Sequence, residues 1–204
     1  MIYVDLDNTL IDSMRRWRME RDAAMLRGMS EETFARAMEL LVESHGLSDF
    51  SFEPFFEVCK RLHPDLDPLL LSEWRALLEL RVFFPDSLRF LEAFQKNELT
   101  LLTTGSVKHQ QVKVRAHALE EYFGDILIVP TPKARAIASP PPDSIYVDDS
   151  GREIDEMKTC HPHVYCILVR EPACWEKQKH SVRADARAVD LDHALLLIKQ
   201  LQKT

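Results

Sequence analysis

The chain opens with a short apolar run that leads directly into two carboxylates. Residues 1–4 contain no charged position, a pattern typical of a buried strand in a parallel sheet. Asp5 and Asp7 follow at once. Because parallel sheets place their chemistry just beyond the carboxyl ends of their strands, we expect both aspartates to belong to a functional site.

A helical pattern replaces the strand pattern after residue 12 and continues to about residue 82. Ser30 suits the first position of one of these helices, because its hydroxyl can accept a backbone N–H. The spacing predicts four helices: one over 14–27, and three with the apolar stripes Phe34, Met38, Leu41 and Val42; Phe52, Phe55, Phe56 and Cys59; and Leu70, Trp74, Leu77 and Leu78.

Beyond Pro85 strand and helix patterns alternate, which favours a parallel sheet with helices packed on it. The pattern predicts strands over 99–103, 126–129, 144–147 and 164–169, and helices over 86–96, 106–122, near 133, over 152–158 and at the C-terminus with Leu191, Ala194, Leu195, Ile198 and Leu201 on one face.

These elements predict an α/β fold, a Rossmann-like parallel sheet with helices on both faces plus an inserted α-helical bundle. The expected core domain comprises 1–12 and 83–204, and the inserted domain comprises 13–82. We interpret the insertion as a cap that excludes water and selects substrates. The alternative is a helical subdomain with a purely structural role.

Composition limits the class of partner. The chain has 204 residues, of which 46% are hydrophobic, enough for a substantial core. A net charge of -7 argues against nucleic acid or an anionic membrane surface as the main partner. Without an apolar leader or a membrane-spanning run, the expected protein is soluble and cytoplasmic. Its four cysteines form no CxxC pair, so we expect reduced thiols and no disulfides.

Polar residues recur where the predicted core strands end. Thr103, Thr104 and Gly105 form a turn before a helix, where hydroxyls and free N–H groups can hold a phosphoryl oxygen, although such residues are also common helix caps. Lys133 follows another strand at a helix start. The helix dipole disfavours a cation there, so this lysine indicates an anionic partner, unless it is an ordinary surface lysine.

A second acidic pair, Asp148 and Asp149, follows the strand over 144–147. Two carboxylate pairs at strand ends repel one another unless a cation compensates. Oxygen ligands suit Mg²⁺ better than zinc, which prefers histidine or cysteine. Glu153 and Asp155 extend the acidic cluster and could support the ligands or simply begin a helix.

Taken in order, the segment from Asp5 to Leu10, Thr103, Lys133 and the pair Asp148-Asp149 resemble the four motifs of the haloacid dehalogenase (HAD) superfamily. The resemblance spans the chain, and the position of the insertion resembles that of the subgroup with a helical cap. True dehalogenases of this superfamily lack the second aspartate of the first motif. Asp7 therefore resembles the phosphatase branch.

The resemblance implies a Mg²⁺-dependent phosphatase for a small phosphorylated metabolite. It makes Asp5 the nucleophile that forms an aspartyl phosphate, and Asp7 the general acid and base. The implied metal ligands are the Asp5 carboxylate, the Asp7 backbone carbonyl and the Asp149 carboxylate, with Asp148 a ligand or an orienting neighbour. Thr103 and Lys133 would bind phosphoryl oxygens, and Thr104 and Gly105 would offer backbone N–H groups.

Some positions depart from the common pattern of the superfamily or allow other interpretations. Thr104 stands where many relatives have Asn, and Asp148 where many have Gly. The alternatives are Lys108 or Lys113 in the lysine role, a zinc site from Cys160, His161, His163 and Cys166, and an anion-binding face from Arg15, Arg16, Arg18 and Arg21. Alternation places Cys166 in a strand with Val164 and Leu168, which disfavours zinc.

Three functions use the same motifs. Hydrolysis is the leading hypothesis, transfer of the phosphoryl group to a second hydroxyl is its enzymatic alternative, and a catalytically silent binding or regulatory protein is the alternative of a different class. Neither the substrate nor the oligomeric state follows from the sequence.

Overall fold

The computed structural model describes residues 1–45, 50–129, 132–170 and 181–203. Their contacts divide the chain into two compact units. An α/β unit consists of Met1–Asp12, Phe83–Thr104 and Ala118–Thr204, and a helical unit consists of Ser13–Val82 and Gly105–His117. Cys59, Cys160 and Cys166 carry free thiols, whereas Cys174 lies outside the described residues.

The α/β unit contains a sheet with every neighbouring pair of strands parallel. In the described residues the strands are β1 (Ile2–Val4), β2 (Leu99–Thr104), β3 (Asp125–Val129), β4 (Ile145–Asp148), β5 (Tyr165–Val169) and β6 (Ala186–Ala188), in the order β3-β2-β1-β4-β5-β6. The predicted parallel α/β architecture is therefore confirmed. Only β6 has no counterpart in the prediction, because its three residues contain no apolar run.

The helices follow the predicted alternation. They are α1 (Ser13–Leu26), α2 (Glu31–His45), α3 (Phe52–Leu62), α4 (Leu69–Leu78), α5 (Ser87–Glu92), α6 (Val107–Ala116), α7 (Lys133–Ala136), α8 (Gly151–Cys160) and α9 (Leu191–Leu201). The helices inserted after β1 are thus confirmed. Within the described residues, none of them has the length and hydropathy that crossing a membrane requires.

The strand register determines which side chains meet at the sheet edge. Val4 in the central strand β1 pairs with Leu101 of β2 on one side and with Val147 of β4 on the other. Since all three strands run in the same direction, the residues that follow these positions emerge at one edge. That edge carries Asp5, Thr103 and Asp149.

A cluster of buried apolar residues holds α7 and α8 against one face of the sheet. Tyr3, Tyr146 and Cys166 contribute from the strands, and Ile154 and Met157 from α8. Strand residues two positions apart face the same side of the sheet. The strand positions that join this cluster therefore follow directly from the sequence. Val164, Cys166 and Leu168 lie together in this cluster, as their alternation predicts.

The helical unit has its own core around Trp74, which is fully buried. The indole ring stacks on Phe55 at a centroid distance of 5.1 Å, and Phe34 meets Phe55 edge-on at 5.3 Å. The indole N–H donates to the Glu20 carbonyl at 2.8 Å, which satisfies the one polar atom of the buried ring. Ser30 caps α2 as expected, since its hydroxyl accepts the Thr33 N–H at 3.1 Å.

Two helices are shorter than the pattern predicts. The helix expected over 106–122 ends at Ala116, because Ala118 adopts a left-handed conformation with φ +52° before a short 3-10 turn at Leu119–Glu121. The helix expected over 86–96 ends at Glu92, and a 3-10 turn at Lys96–Glu98 leads into β2. Apolar spacing persists through both breaks, so periodicity alone does not detect them.

Candidate active site

Asp5 emerges from the central strand into a tightly turned loop. Its backbone N–H donates to the Val147 carbonyl at 3.0 Å, and its side chain is almost completely buried. The chain then folds back on itself, with the Leu10 N–H donating to the Leu6 carbonyl at 3.0 Å. Asn8 permits the turn by adopting φ +61°, a region that asparagine tolerates better than most residues. The loop therefore holds Asp5 in a fixed position.

Lys133 lies between two carboxylates. Its ammonium nitrogen is 2.6 Å from Asp5 Oδ1 and 2.6 Å from Asp148 Oδ2, and all three side chains are buried. The Lys133 backbone N–H donates to Glu153 Oε2 at 3.1 Å, which fixes the start of α7. The anionic partners expected for a lysine at a helix start are thus side chains of the protein itself.

Asp148 has donors on both carboxylate oxygens. Oδ2 receives the Tyr146 hydroxyl in addition to Lys133, and Oδ1 receives the Ser150 N–H at 2.7 Å. Sequence reasoning assigned Tyr146 only to a strand. The available signal was its position two residues before Asp148, which places both side chains on one face of β4, together with the need of a buried hydroxyl for a partner.

Three carboxylates approach closely enough to share a cation. One oxygen each from Asp5, Asp148 and Asp149 lies within 4.8 Å of the others. Asp149 is held in place by its backbone N–H, which donates to the Thr9 hydroxyl at 3.1 Å. Among the residues that the structure describes, no other histidine, cysteine or acidic group forms such a cluster. The donors are oxygens only, which fits Mg²⁺ or another hard cation.

The crowding of charge shifts the acidity of these groups. Burial raises the pKa of Asp5 to about 7, with Lys133 opposing the shift and Asp148 and Asp7 adding to it. Burial also raises the pKa of Asp149, and the nearby carboxylates of Asp148 and Asp5 raise it further. Although burial lowers the pKa of Lys133, its two carboxylate partners raise it above the usual value, so the lysine stays charged. The crowded carboxylates therefore favour a bound proton or a bound cation.

The remaining predicted residues lie at the end of β2 or follow β1 and β2 along the chain. Asp7 is half-buried, and its charge contributes to the raised pKa of both Asp5 and Asp149. Thr103 is buried at the end of β2, and Thr104 is the last residue of that strand. Gly105 has φ +135°, a conformation that favours glycine, and it belongs to the helical unit.

The alternatives raised by the sequence are not favoured by these contacts. Lys133 contacts Asp5 and Asp148 directly, which favours it over Lys108 and Lys113 for the lysine role. Arg16 is buried in an ion pair with Glu20 at 3.5 Å, so its charge already has a partner within α1.

The proposed zinc ligands are likewise engaged elsewhere. Nε2 of His161 lies 2.9 Å from the Ala134 carbonyl oxygen, and Nε2 of His163 lies 3.2 Å from the Pro140 carbonyl oxygen. Cys166 is buried in the core cluster, and burial raises the pKa of its thiol to about 12. His161 thus contacts α7 itself, and His163 contacts the segment that follows it.

Nearly the whole chain matches solved structures of HAD-like proteins. A haloacid dehalogenase-like hydrolase from Burkholderia xenovorans matches with a TM-score of 0.75 at 21% identity, covering 98% of this chain and 97% of that one. L-2-haloacid dehalogenase from Xanthobacter autotrophicus matches with 0.68 at 14%, covering 98% of both chains. A HAD-hydrolase from Bacillus subtilis, in a structure bound to magnesium, matches with 0.63 at 13%, covering 97% of both.

By sequence, no protein-family profile and no curated protein matches the chain. At these identities the structural likeness shows the fold, which is that of the HAD-like hydrolases. The resemblance seen in the motifs is thereby confirmed at the level of the fold, including the helices inserted after β1.

Proposed function

We propose that this chain is a Mg²⁺-dependent phosphatase that hydrolyses a small phosphorylated metabolite through an aspartyl phosphate. The observation that carries the proposal is the contact of Lys133 with both Asp5 and Asp148, beside a third carboxylate, Asp149. A buried lysine and several carboxylates at the ends of parallel strands form a centre suited to an anionic substrate and a cation. The fold supports the same conclusion.

Asp5 is the nucleophile in this mechanism. One of its carboxylate oxygens attacks phosphorus, and the bond between phosphorus and the ester oxygen breaks. Water then attacks the phosphorus of the aspartyl phosphate, which releases inorganic phosphate and restores the carboxylate. Lys133 keeps Asp5 oriented before the reaction, and its fixed positive charge offsets the negative charge that a phosphate brings into the site.

Asp7 moves the protons of both steps. It donates a proton to the departing alkoxide and accepts one from the attacking water. Asp7 is less buried than Asp5, so it can exchange its proton with solvent between turnovers. Thr103 and the backbone N–H groups of Thr104 and Gly105 are proposed to bind the phosphoryl oxygens.

The donor set fits Mg²⁺. Carboxylate oxygens of Asp5 and Asp149 and the backbone carbonyl of Asp7 would hold the ion, which supplies charge neutralisation between an anionic nucleophile and an anionic phosphate. Asp148 is better placed to orient Lys133 than to bind the metal, because both of its oxygens already accept hydrogen bonds.

Dehalogenases share this fold, so the choice of phosphatase depends on the carboxylates. A dehalogenase displaces a halide from carbon. Its substrate carries no phosphate whose charge a metal would have to neutralise. In this chain Asp7 adds a carboxylate close enough to raise the pKa of Asp5 and Asp149. Such an accumulation of negative charge favours a role that involves a cation.

The proposal is tested by screening phosphate esters and 2-haloacids with the full chain, in Mg²⁺ and in EDTA. We expect release of inorganic phosphate that depends on Mg²⁺ and no release of halide. Transfer of phosphate to an added alcohol without phosphate release would favour a phosphotransferase. Halide release that EDTA does not inhibit would overturn the proposal, and a lack of turnover on a broad panel would favour a binding protein.

A further inference from the structure

Arg170, the residue after β5, adopts a backbone conformation that arginine disfavours. Its φ is +52°, in the left-handed region. For a side chain other than glycine or asparagine this conformation costs free energy and persists only where surrounding contacts impose it. The first of these contacts is from its own N–H, which donates to the Ala188 carbonyl at 3.1 Å at the end of β6.

The Arg170 guanidinium is held on three sides. Nε donates to the Thr9 carbonyl at 3.2 Å, and Nη2 donates to Asp86 Oδ1. The group also lies over the ring of Phe84, with Cζ 3.8 Å from the ring centroid. Because the fork of donors is rigid, these contacts together fix the direction of the Nε–H bond toward Thr9.

Asp86 holds the Arg170 guanidinium in place and is itself fixed by a second hydrogen bond. It is buried, and its second oxygen accepts the Leu191 N–H at 2.6 Å at the start of α9. Each carboxylate oxygen therefore has a donor, one from Arg170 and one from Leu191. A buried carboxylate with both oxygens satisfied is a rigid support, since moving it would leave a charge without partners.

Thr9 connects Arg170 to the candidate active site. It is completely buried, its carbonyl accepts from Arg170, and its hydroxyl accepts the Asp149 N–H. The next residue, Leu10, is fixed from the same side, because its carbonyl accepts the Ser87 hydroxyl at 2.6 Å. The loop that carries Asp7 is thus attached both to the segment around Asp86 and to the metal-binding end of β4.

We propose that Arg170 is a positioning residue, which sets the place of Thr9 and through it the relative positions of Asp7 and Asp149. It contacts no reacting group itself. The inference rests on the proposed function for its kinetic consequence, but its structural part, the placement of the loop over 6–11, stands independently. The alternative is that the pair of Arg170 and Asp86 only stabilises the fold.

Arg89 offers a matched control. It forms an exposed ion pair with Asp192 at 2.6 Å. This pair links α5 to α9, as the hydrogen bond from Leu191 to Asp86 also does, but it does not involve the loop over 6–11. Three variants are compared with wild type: Arg170→Met, which removes the donors; Arg170→Lys, which keeps the charge but not the fork; and Arg89→Met as the control.

The kinetic readout is turnover of p-nitrophenyl phosphate at saturating Mg²⁺, well below the melting temperature of each variant. We expect kcat to fall roughly 10- to 100-fold in Arg170→Met with KM changed by less than about 3-fold, a smaller fall in Arg170→Lys, and no change in Arg89→Met. Unchanged kcat in folded Arg170→Met would overturn the inference, even if its melting temperature fell.

Two further readouts do not depend on activity. Amide hydrogen exchange over 6–11 should be faster in Arg170→Met than in Arg89→Met, and calorimetry should show weaker Mg²⁺ binding. If Arg170→Met does not fold, Arg170→Lys is measured in the same way, and wild-type exchange in that variant would overturn the inference. A wild type that is inactive on a broad panel of phosphate esters would refute the proposed function, whereas faster exchange of the loop would still support the placement of Thr9 by Arg170.

Discussion

The Lys133 ammonium lies 2.6 Å from the Asp5 carboxylate, and neither group is accessible to solvent to any useful extent. This contact holds the Asp5 carboxylate in place and compensates part of its charge. It also accounts for the position of a lysine at the start of α7, where the helix dipole alone would disfavour it.

Replacing Lys133 with methionine should impair both activity and stability. Asp5 and Asp148 would remain buried without a positive partner, so we expect the free energy of unfolding to fall by about 3–5 kcal/mol at neutral pH. Loss of one charged contact to the phosphate should lower kcat at least ~100-fold. Urea unfolding and steady-state kinetics measure the two effects.

The control for this variant is Arg135→Met. Arg135 belongs to the same short helix, but its pair with Glu156 is exposed. The substitution should therefore leave kcat unchanged. If Lys133→Met retained wild-type kcat, Lys133 would have no role in the reaction.

Tyr146→Phe should disturb the site without removing a charge. The hydroxyl that donates to Asp148 is lost, and we expect a cost of about 1–2 kcal/mol in unfolding free energy and a decrease of several-fold in kcat. Tyr3→Phe is the matched control, because Tyr3 pairs with Tyr146 in the sheet register and lies in the same core cluster. Equal effects of the two substitutions on kcat would argue against a specific role for Tyr146.

Stability without metal should depend on pH because of Asp5. Its pKa is raised to about 7 in the folded protein, so between about pH 4 and pH 7 the folded state keeps a proton that the unfolded state has lost. The contribution of this group to stability is therefore largest below about pH 4 and declines as the pH rises to about 7. Thermal unfolding in EDTA across this range measures the decline.

Mg²⁺ should remove much of that dependence, because binding requires the ionised carboxylates. The affinity for Mg²⁺ should rise with pH up to about 7, and binding near pH 6 should release protons. Calorimetry in buffers with different ionisation enthalpies detects the release. Asp5→Asn should flatten the pH dependence in EDTA, and an unchanged slope in that variant would assign the effect to another group.

Asp7→Ala should separate the two chemical steps. The leaving group of p-nitrophenyl phosphate is a weak base that needs little protonation, so formation of the aspartyl phosphate should be affected less than its hydrolysis. Rapid mixing should then show a burst of nitrophenol followed by slow turnover, with phosphate bound to Asp5 detectable by mass spectrometry. Loss of the burst together with turnover would mean that Asp7 is needed for attack itself.

The sequence predicts much of the fold because apolar spacing and strand polarity agree along the chain. The strand over residues 1–4 and the stripe with Trp74 both lie where the pattern indicates. The break at Ala118 escapes this reasoning, since it depends on one backbone conformation and not on side-chain spacing. The strand β6 escapes it because its three residues contain no apolar run.

The structure brings together Asp5, Lys133 and Asp148, which the strand ends had indicated, whereas their pairings were not predictable. Strand ends point to Asp5, Lys133 and Asp148, but only coordinates show that one ammonium serves two carboxylates. Arg170 gives no local signal at all. Its contact with Thr9 joins residues 161 positions apart, and no spacing rule covers such a distance.

The chain leaves the α/β unit after β1 and returns to it at almost the same place. Ile11 forms an antiparallel bridge with Phe83, and the Phe84 N–H donates to the Leu10 carbonyl at 3.1 Å. Two chain ends fixed side by side can accept inserts of very different length without moving the strands that they flank. In evolutionary terms this makes residues 13–82 a segment whose length can change while Asp5 keeps its place, and the same junction is a practical site for grafting other domains.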